Sequence, residues 1–121
     1  MKIDLAIAAT ALVLAASGAL AQVQWKEVGS LGQRHIMVVD AAVAGDAQAL
    51  KQAAATACAA GRPCVVAFWL DAAQVPSSMP MTAEQQQAMV AQYARNPATG
   101  NEELLLKCGP GDSAAGTKCL R

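Results

Sequence analysis

Charge is scarce in this sequence, and the two signs balance. Charged residues make up 15% of the chain, with nine lysines and arginines against nine aspartates and glutamates, so the formal net charge is zero. The lysines and arginines form no basic cluster. Because nucleic acids and anionic membranes attract proteins through such clusters, we expect neither as a partner.

Aromatic residues and catalytic motifs are also sparse. Only 3% of the residues are aromatic, so the small core is expected to need covalent support. The sequence contains one histidine, His35, which argues against a zinc site. It has no G-x-S-x-G nucleophile motif, no C-x-x-C redox motif and no phosphate-binding glycine loop. We expect no cofactor, and an enzyme is the less favoured class.

The first 21 residues have the organisation of a signal peptide. A lysine gives a positive start, residues 5–16 are apolar, and Ala19 and Ala21 occupy the two small positions that a signal peptidase reads. The apolar run is shorter than the ~20 residues of a membrane-spanning helix, and no cysteine follows it for a lipid anchor. We expect residues 22–121 to be a periplasmic or secreted bacterial protein of one domain, without a membrane anchor after cleavage.

All four cysteines, Cys58, Cys64, Cys108 and Cys119, lie in this mature region. An even number in an exported chain predicts two disulfides, and four cysteines allow three pairings. Local geometry favours Cys58 with Cys64 and Cys108 with Cys119, the second pair closing a glycine-rich tail at 109–121. Neither spacing is the short type found in zinc sites, so we expect no bound metal.

The mature sequence predicts a disulfide-stapled α/β domain in the order β-β-α-β-α-β. Strands are predicted at 23–28, 35–40, 64–70 and 102–108. One helix is predicted to begin at the capping residue Asp46 and to end before Gly61. Another is predicted from a capping box at Thr82 to about Arg95. The β-α-β units indicate right-handed crossovers, in a mixed sheet of about four strands with two helices.

The later predicted strands are apolar at consecutive positions, so both faces of the sheet need cover. The two helices supply it only if they lie on opposite sides. Otherwise a face carrying Phe68 or Trp69 stays open and becomes a contact surface. The proline-containing loop 72–81, longer than most connections, is a second candidate surface.

Two aspartates that end apolar strands form the candidate polar site. Asp40 follows the second predicted strand and Asp71 follows the third. If these strands are parallel neighbours, both carboxylates emerge at the sheet edge where open α/β proteins bind ligands. A close pair holds a hard cation or divides into an acid and a base. Alternatively, each aspartate starts a turn by accepting backbone N–H groups.

Methionines raise a soft-metal hypothesis. Met79 and Met81 flank a proline, and His35 and Met37 share one face of a predicted strand, a set of ligands suited to copper. However, Met37 lies in an apolar run typical of a core strand. Met81 precedes the helix cap, where an apolar residue fixes the entry of the chain into the helix.

The pattern C-x5-C-VVAFW-LD, followed by P-MT and by Y-x2-NP-x-TG-x-EEL, resembles small exported bacterial proteins of uncharacterised function. The resemblance covers most of the mature chain, from about Cys58 onward. It brings no activity, cofactor or catalytic residue to this sequence.

The leading hypothesis is a non-enzymatic periplasmic binding or protein-interaction module. It would present the 72–81 loop with Met79 and Met81, together with Trp69, to a protein partner or to a second copy of itself. The alternative from another class is a small metal-dependent or acid/base hydrolase that uses Asp40 and Asp71. A copper-binding protein is the third hypothesis.

Overall fold

The structure is a computed structural model that describes residues 24–108 and 118–120. The signal peptide predicted at 1–21 and most of the predicted glycine-rich tail lie outside the described residues. Within the described part, no helix combines the length and hydropathy needed to cross a membrane.

The described residues form a mixed five-stranded sheet with three α-helices. The strands are β1 (Trp25–Leu31), β2 (Arg34–Val39), β3 (Cys64–Trp69), β4 (Ala91–Asn96) and β5 (Asn101–Leu106). The helices are α1 (Ala41–Ala44), α2 (Ala47–Ala57) and α3 (Ala83–Ala88), and a short 3-10 helix spans Ala72–Gln74. The predicted α/β class is confirmed. The predicted order, with four strands and two helices, is wrong.

The strands lie in the sheet in their chain order, from β1 to β5. β2 and β3 are parallel, and the other three neighbouring pairs are antiparallel. A parallel pair needs a crossover connection, and α1 with α2 supplies it. The prediction of two crossovers is wrong, because α3 leads into β4, which returns antiparallel beside β3.

The predicted helix from Thr82 to Arg95 starts as expected but ends early. The Thr82 hydroxyl accepts from the Gln85 backbone N–H at 3.1 Å, and the Gln85 side chain accepts from the Thr82 N–H at 2.9 Å, so the capping box is confirmed. The helix ends at Ala88, and β4 begins at Ala91.

Sheet pairing explains why the helix does not continue. As β4, the segment pairs with β3 on one side and with β5 on the other. Met89 and Tyr93, four residues apart and so on one side of the predicted helix, belong instead to the two clusters on opposite sides of the sheet. In residues 91–96, strand pairing and burial on both faces of the sheet thus outweigh the helical spacing of the apolar residues.

Two hydrophobic clusters cover the sheet, one on each face. The first, on what we call the α2 face, contains Met37, Val39, Val43, Leu50, Ala53, Ala54, Cys64, Val66, Phe68, Ala91 and Tyr93. The second, on the α3 face, has the buried residues Ile36, Ala67, Trp69 and Met89, with Val75, Met81, Ala88 and Leu120 packed against them. Both faces therefore have the cover that the apolar strands require.

Two disulfides join the cysteines that local geometry favours. Cys58–Cys64 connects the end of α2 to the first residue of β3, with a Cα–Cα distance of 5.7 Å. Cys108–Cys119 holds residues 118–120 against β5, where the Leu106 N–H donates to the Lys118 carbonyl at 3.0 Å. The end of β5 is thus covered, whereas the outer side of β1 has no strand beside it in the described part.

Candidate interaction site

The sheet order brings Asp40 and Asp71 to the same edge. β2 and β3 are parallel neighbours with Val38 beside Trp69, so the two aspartates follow in register. Both are exposed, and the Asp71 carboxylate accepts from the Ala73 N–H at 2.8 Å, starting the 3-10 helix. Asp40 precedes α1 without capping it through its side chain. The two aspartates are therefore neighbours, but they do not lie in the concave, enclosed site that acid/base catalysis requires.

The sheet edge that carries Asp40 and Asp71 has too few ligands to bind a metal ion. Among the described residues, no group of three or more histidine, cysteine, aspartate or glutamate side chains is placed to hold an ion. Hard cations take six or more oxygen ligands, partly from water, and protein sites supply several of them. Two exposed carboxylates, one already accepting a backbone N–H, fall short of that number.

The soft-metal ligands lie apart. Met37 is buried on the α2 face, whereas Met81 packs against the cluster on the α3 face, so the sheet separates them. Met79 is 49% exposed, and the His35 imidazole contacts the Glu27 carboxylate, Nδ1 to Oε2, at 2.7 Å. These four side chains do not converge on one point, and the copper hypothesis loses its geometric basis.

Trp69 does not lie on a contact surface, and that prediction is wrong. Both Trp69 and Phe68 are fully buried, on opposite faces of the sheet. The Trp69 indole donates from Nε1 to the Gln85 carbonyl at 2.9 Å, so its polar end is also satisfied. The segment that follows β3 folds back over the indole, which sequence patterns did not reveal.

That segment leaves a groove between itself and the β1–β2 hairpin. The groove has a volume of about 390 Å³. It is lined by residues 28–31 of β1, Ile36 of β2, Ala72, and residues 75–77 of the loop. None of these lining residues is charged, and two are serines. We call it the β1 groove.

The outer edge of β1 runs along this groove. Residues 26–30 are exposed, including Val28 at 38%. A β-bulge between Glu27 and Gly29 divides the edge into a charged part, with Lys26 and Glu27, and an uncharged part at 29–31. Charges and bulges discourage indiscriminate strand pairing. The uncharged part at 29–31, beside the groove, has no charged side chain to discourage pairing with another strand.

Local sequence fixes both walls of the groove. Gly32, with φ 63°, and Gln33 form the two-residue turn that closes the hairpin, and glycine at the first turn position fits a type II′ turn. On the other wall, the Gln85 side chain donates to the Val75 carbonyl at 3.5 Å. Since the Gln85 carbonyl also accepts from Trp69, the loop is anchored to the core.

Gly29 makes the groove accessible at its centre. A Cβ atom placed on Gly29 would meet nothing within 4 Å, and its φ is not in the left-handed region. The space beside Gly29 is therefore open, and a larger residue there would occupy part of this space without straining the backbone.

A larger depression, about 500 Å³, lies on the α3 face between α3, β5 and residues 118–120. Several of its polar side chains already have partners. Lys118 pairs with Glu103 at 3.3 Å, and Gln92 accepts from Arg34 at 3.3 Å. The outer edge of β1, in contrast, has no strand paired with it in the described part of the chain.

The β1 wall of the groove was missed in the sequence, whereas the opposite wall belongs to the loop 72–81 that was a candidate surface from the start. The stretch GSLG reads as a turn, but β1 continues through Leu31 and only Gly32 belongs to the turn. The available signal was Gly29, because an isolated glycine within a strand pattern often marks a bulge or a close approach of another backbone.

Comparison of the chain with protein-family models, curated proteins and solved structures gave no match in any of the three. Function must therefore be argued from the chemistry and geometry of the site.

Proposed function

We propose that this protein is an exported, non-enzymatic interaction module that binds another protein chain at the β1 groove. The observation that carries the proposal is the free, uncharged edge at 29–31 beside an uncharged groove. Exposed strand edges offer backbone N–H and C=O groups to a partner, and a neighbouring pocket selects its side chains.

Two further features support this proposal. The paired disulfides suit a small domain in an oxidising compartment, in line with the signal peptide expected at 1–21. In addition, Asp40 and Asp71, the residues on which the hydrolase hypothesis rests, are exposed. An interaction module needs no assembled catalytic set.

The proposal is tested by photo-cross-linking in the cells that produce the protein. A benzophenone amino acid replaces Val28 or Ser77, one on each wall of the groove. Gln52, exposed on α2, is the matched control position. We expect both groove positions, and not position 52, to give the same protein adduct, which mass spectrometry identifies.

The identified protein is then purified and its affinity measured by calorimetry. Gly29→Val should weaken binding by at least about 10-fold, a change of about 1.4 kcal/mol, because the added side chain occupies part of the groove. Gly45→Val is the control, since Gly45 also has open space and an ordinary φ. Adducts that form equally at position 52, or none at the groove, would contradict the proposal.

A further inference from the structure

We propose that the β1 groove receives a second copy of this chain, through antiparallel pairing of two β1 edges about a two-fold axis at Ser30. This inference rests on the proposed function and names its partner. It is carried by a self-complementary arrangement of three consecutive residues, Gly29, Ser30 and Leu31.

The backbone of Ser30 points away from β2. In an antiparallel pair, residues alternate between those that exchange both hydrogen bonds with the neighbour and those that exchange none. The two-residue turn makes Leu31–Arg34 a bonded pair, so Ser30, opposite His35, is not bonded to β2. The N–H and C=O groups of Ser30 are therefore directed to the outer edge.

A two-fold axis at Ser30 lets these groups satisfy each other. Ser30 of one copy then donates to and accepts from Ser30 of the other, as in any bonded antiparallel pair. A two-fold interface uses the same patch on both copies, so every contact occurs twice. No charged residue lies at 29–31, so no like charges are placed opposite each other in this register.

The same register places the leucine side chain of one copy opposite the glycine of the other, which has no side chain. Gly29 of one copy lies opposite Leu31 of the other, and both positions belong to the α3 face because Gly29 pairs with Ile36. The Leu31 side chain then enters the groove beside Gly29, against the apolar residues Ile36 and Val75. Symmetry repeats this insertion on the other side of the axis.

Charge does not oppose the association. The chain has a formal net charge of zero, so two copies experience no net repulsion. The bulge confines the pairing to 29–31 and the adjoining loop, because the register changes between Glu27 and Gly29. A contact confined to three strand residues and part of a loop is small, so we expect a dissociation constant in the micromolar range or weaker.

Sedimentation equilibrium of the purified, oxidised protein, up to about 1 mM, tests the inference. We expect a monomer–dimer equilibrium that Gly29→Val and Leu31→Ala each weaken by at least about 10-fold. The matched controls are Gly45→Val and Leu70→Ala, an open glycine and a 44% exposed leucine away from the groove, and both should leave the equilibrium unchanged. Thermal melting verifies that each variant is folded.

A cross-link locates the axis. Ser30→Cys should give a covalent dimer with a short bis-maleimide, because the two side chains lie opposite each other, whereas Gln52→Cys, exposed on α2 away from the groove, should not. A strictly monomeric wild type overturns the inference, as does a dimer that Gly29→Val and Leu31→Ala leave intact. If the protein is monomeric but Val28 cross-links a different protein, the inference fails while the proposed function stands.

Discussion

The hydroxyl group of Tyr93 is the polar end of a core side chain. Tyr93 is 3% exposed, and its hydroxyl donates to Glu102 Oε2 at 2.6 Å, while Lys51 Nζ lies 3.5 Å from the other carboxylate oxygen. The bond from Tyr93 lowers the pKa of Glu102, and burial, followed by the bond to Glu102, raises the pKa of Tyr93. This contact ties β4 to β5 and, through Lys51, to α2.

Tyr93→Phe should destabilise the protein by about 1–2 kcal/mol near pH 7, as expected for a hydrogen bond to a charged group that stays accessible to water. Chemical denaturation measures the loss. Lys51→Ala, which removes only an exposed ion pair, should cost less than about 1 kcal/mol. Equal costs for the two variants would contradict the central role given to the hydroxyl.

The stability difference between the wild type and Tyr93→Phe should depend on pH in a defined direction. Because the pKa of Glu102 is lowered by folding, its contribution is present above the usual carboxyl range and is lost as the pH falls through the folded value. The gap between the wild type and Tyr93→Phe should therefore narrow in acid. The pKa of Tyr93 is raised above 10.0, so its contribution is lost instead as the pH rises through the folded value.

Among the elements, β3 is the centre of the sheet, with two strands on each side. Its side chains enter both clusters, Phe68 on the α2 face and Trp69 on the α3 face. Phe68→Ala should cost about 3–5 kcal/mol, because the fully buried site loses the apolar burial of the ring and keeps a cavity that its surroundings close only in part. Leu70→Ala, two residues on and 44% exposed, should cost less than about 1 kcal/mol by the same denaturation measurement.

The elements also show what sequence can predict. The start of α2 is a local event, because Asp46 accepts from the N–H groups of Gln48 and Ala49, and the capping box at Thr82 is equally local. Both were predicted correctly. The strand β4 was missed because Tyr93 is placed by pairing with Val66 and Leu104, which are distant in the sequence.

The candidate site depended on the whole sheet and was only partly predictable. The adjacency of Asp40 and Asp71 followed from the parallel pairing of β2 and β3, which a β-α-β pattern predicts. The burial of Trp69 could not be predicted from such a pattern, since it depends on a contact with Gln85, 16 residues later. The position of β1 at the edge of the sheet depends on the complete strand order, so the sequence of residues 25–31 alone does not predict it.

At the scale of the whole molecule, the two disulfides act on different parts of the sheet. Cys58–Cys64 spans 6 residues at its centre, and Cys108–Cys119 spans 11 and holds residues 118–120 against β5. Replacing Cys108 and Cys119 with alanine should cost about 3 kcal/mol, the loop-closure value for this spacing. Hydrogen exchange at Leu106 and Leu120 should then accelerate, because the Leu106 N–H donates to the Lys118 carbonyl and the Leu120 N–H to the Leu106 carbonyl, and both bonds lose their covalent support. Exchange in β3 should change only as much as global stability does.

A strong reductant distinguishes the two bridges. It should lower the melting temperature of the wild type further than that of the variant lacking Cys108 and Cys119, since the variant has only Cys58–Cys64 left to lose. Reduction also frees the covered end of β5, while the edge at 29–31 stays as it is. The reduced protein should therefore keep its dimerisation through Ser30 wherever it remains folded. A wild type that melts at the same temperature with and without reductant would contradict the stabilising role of both disulfides.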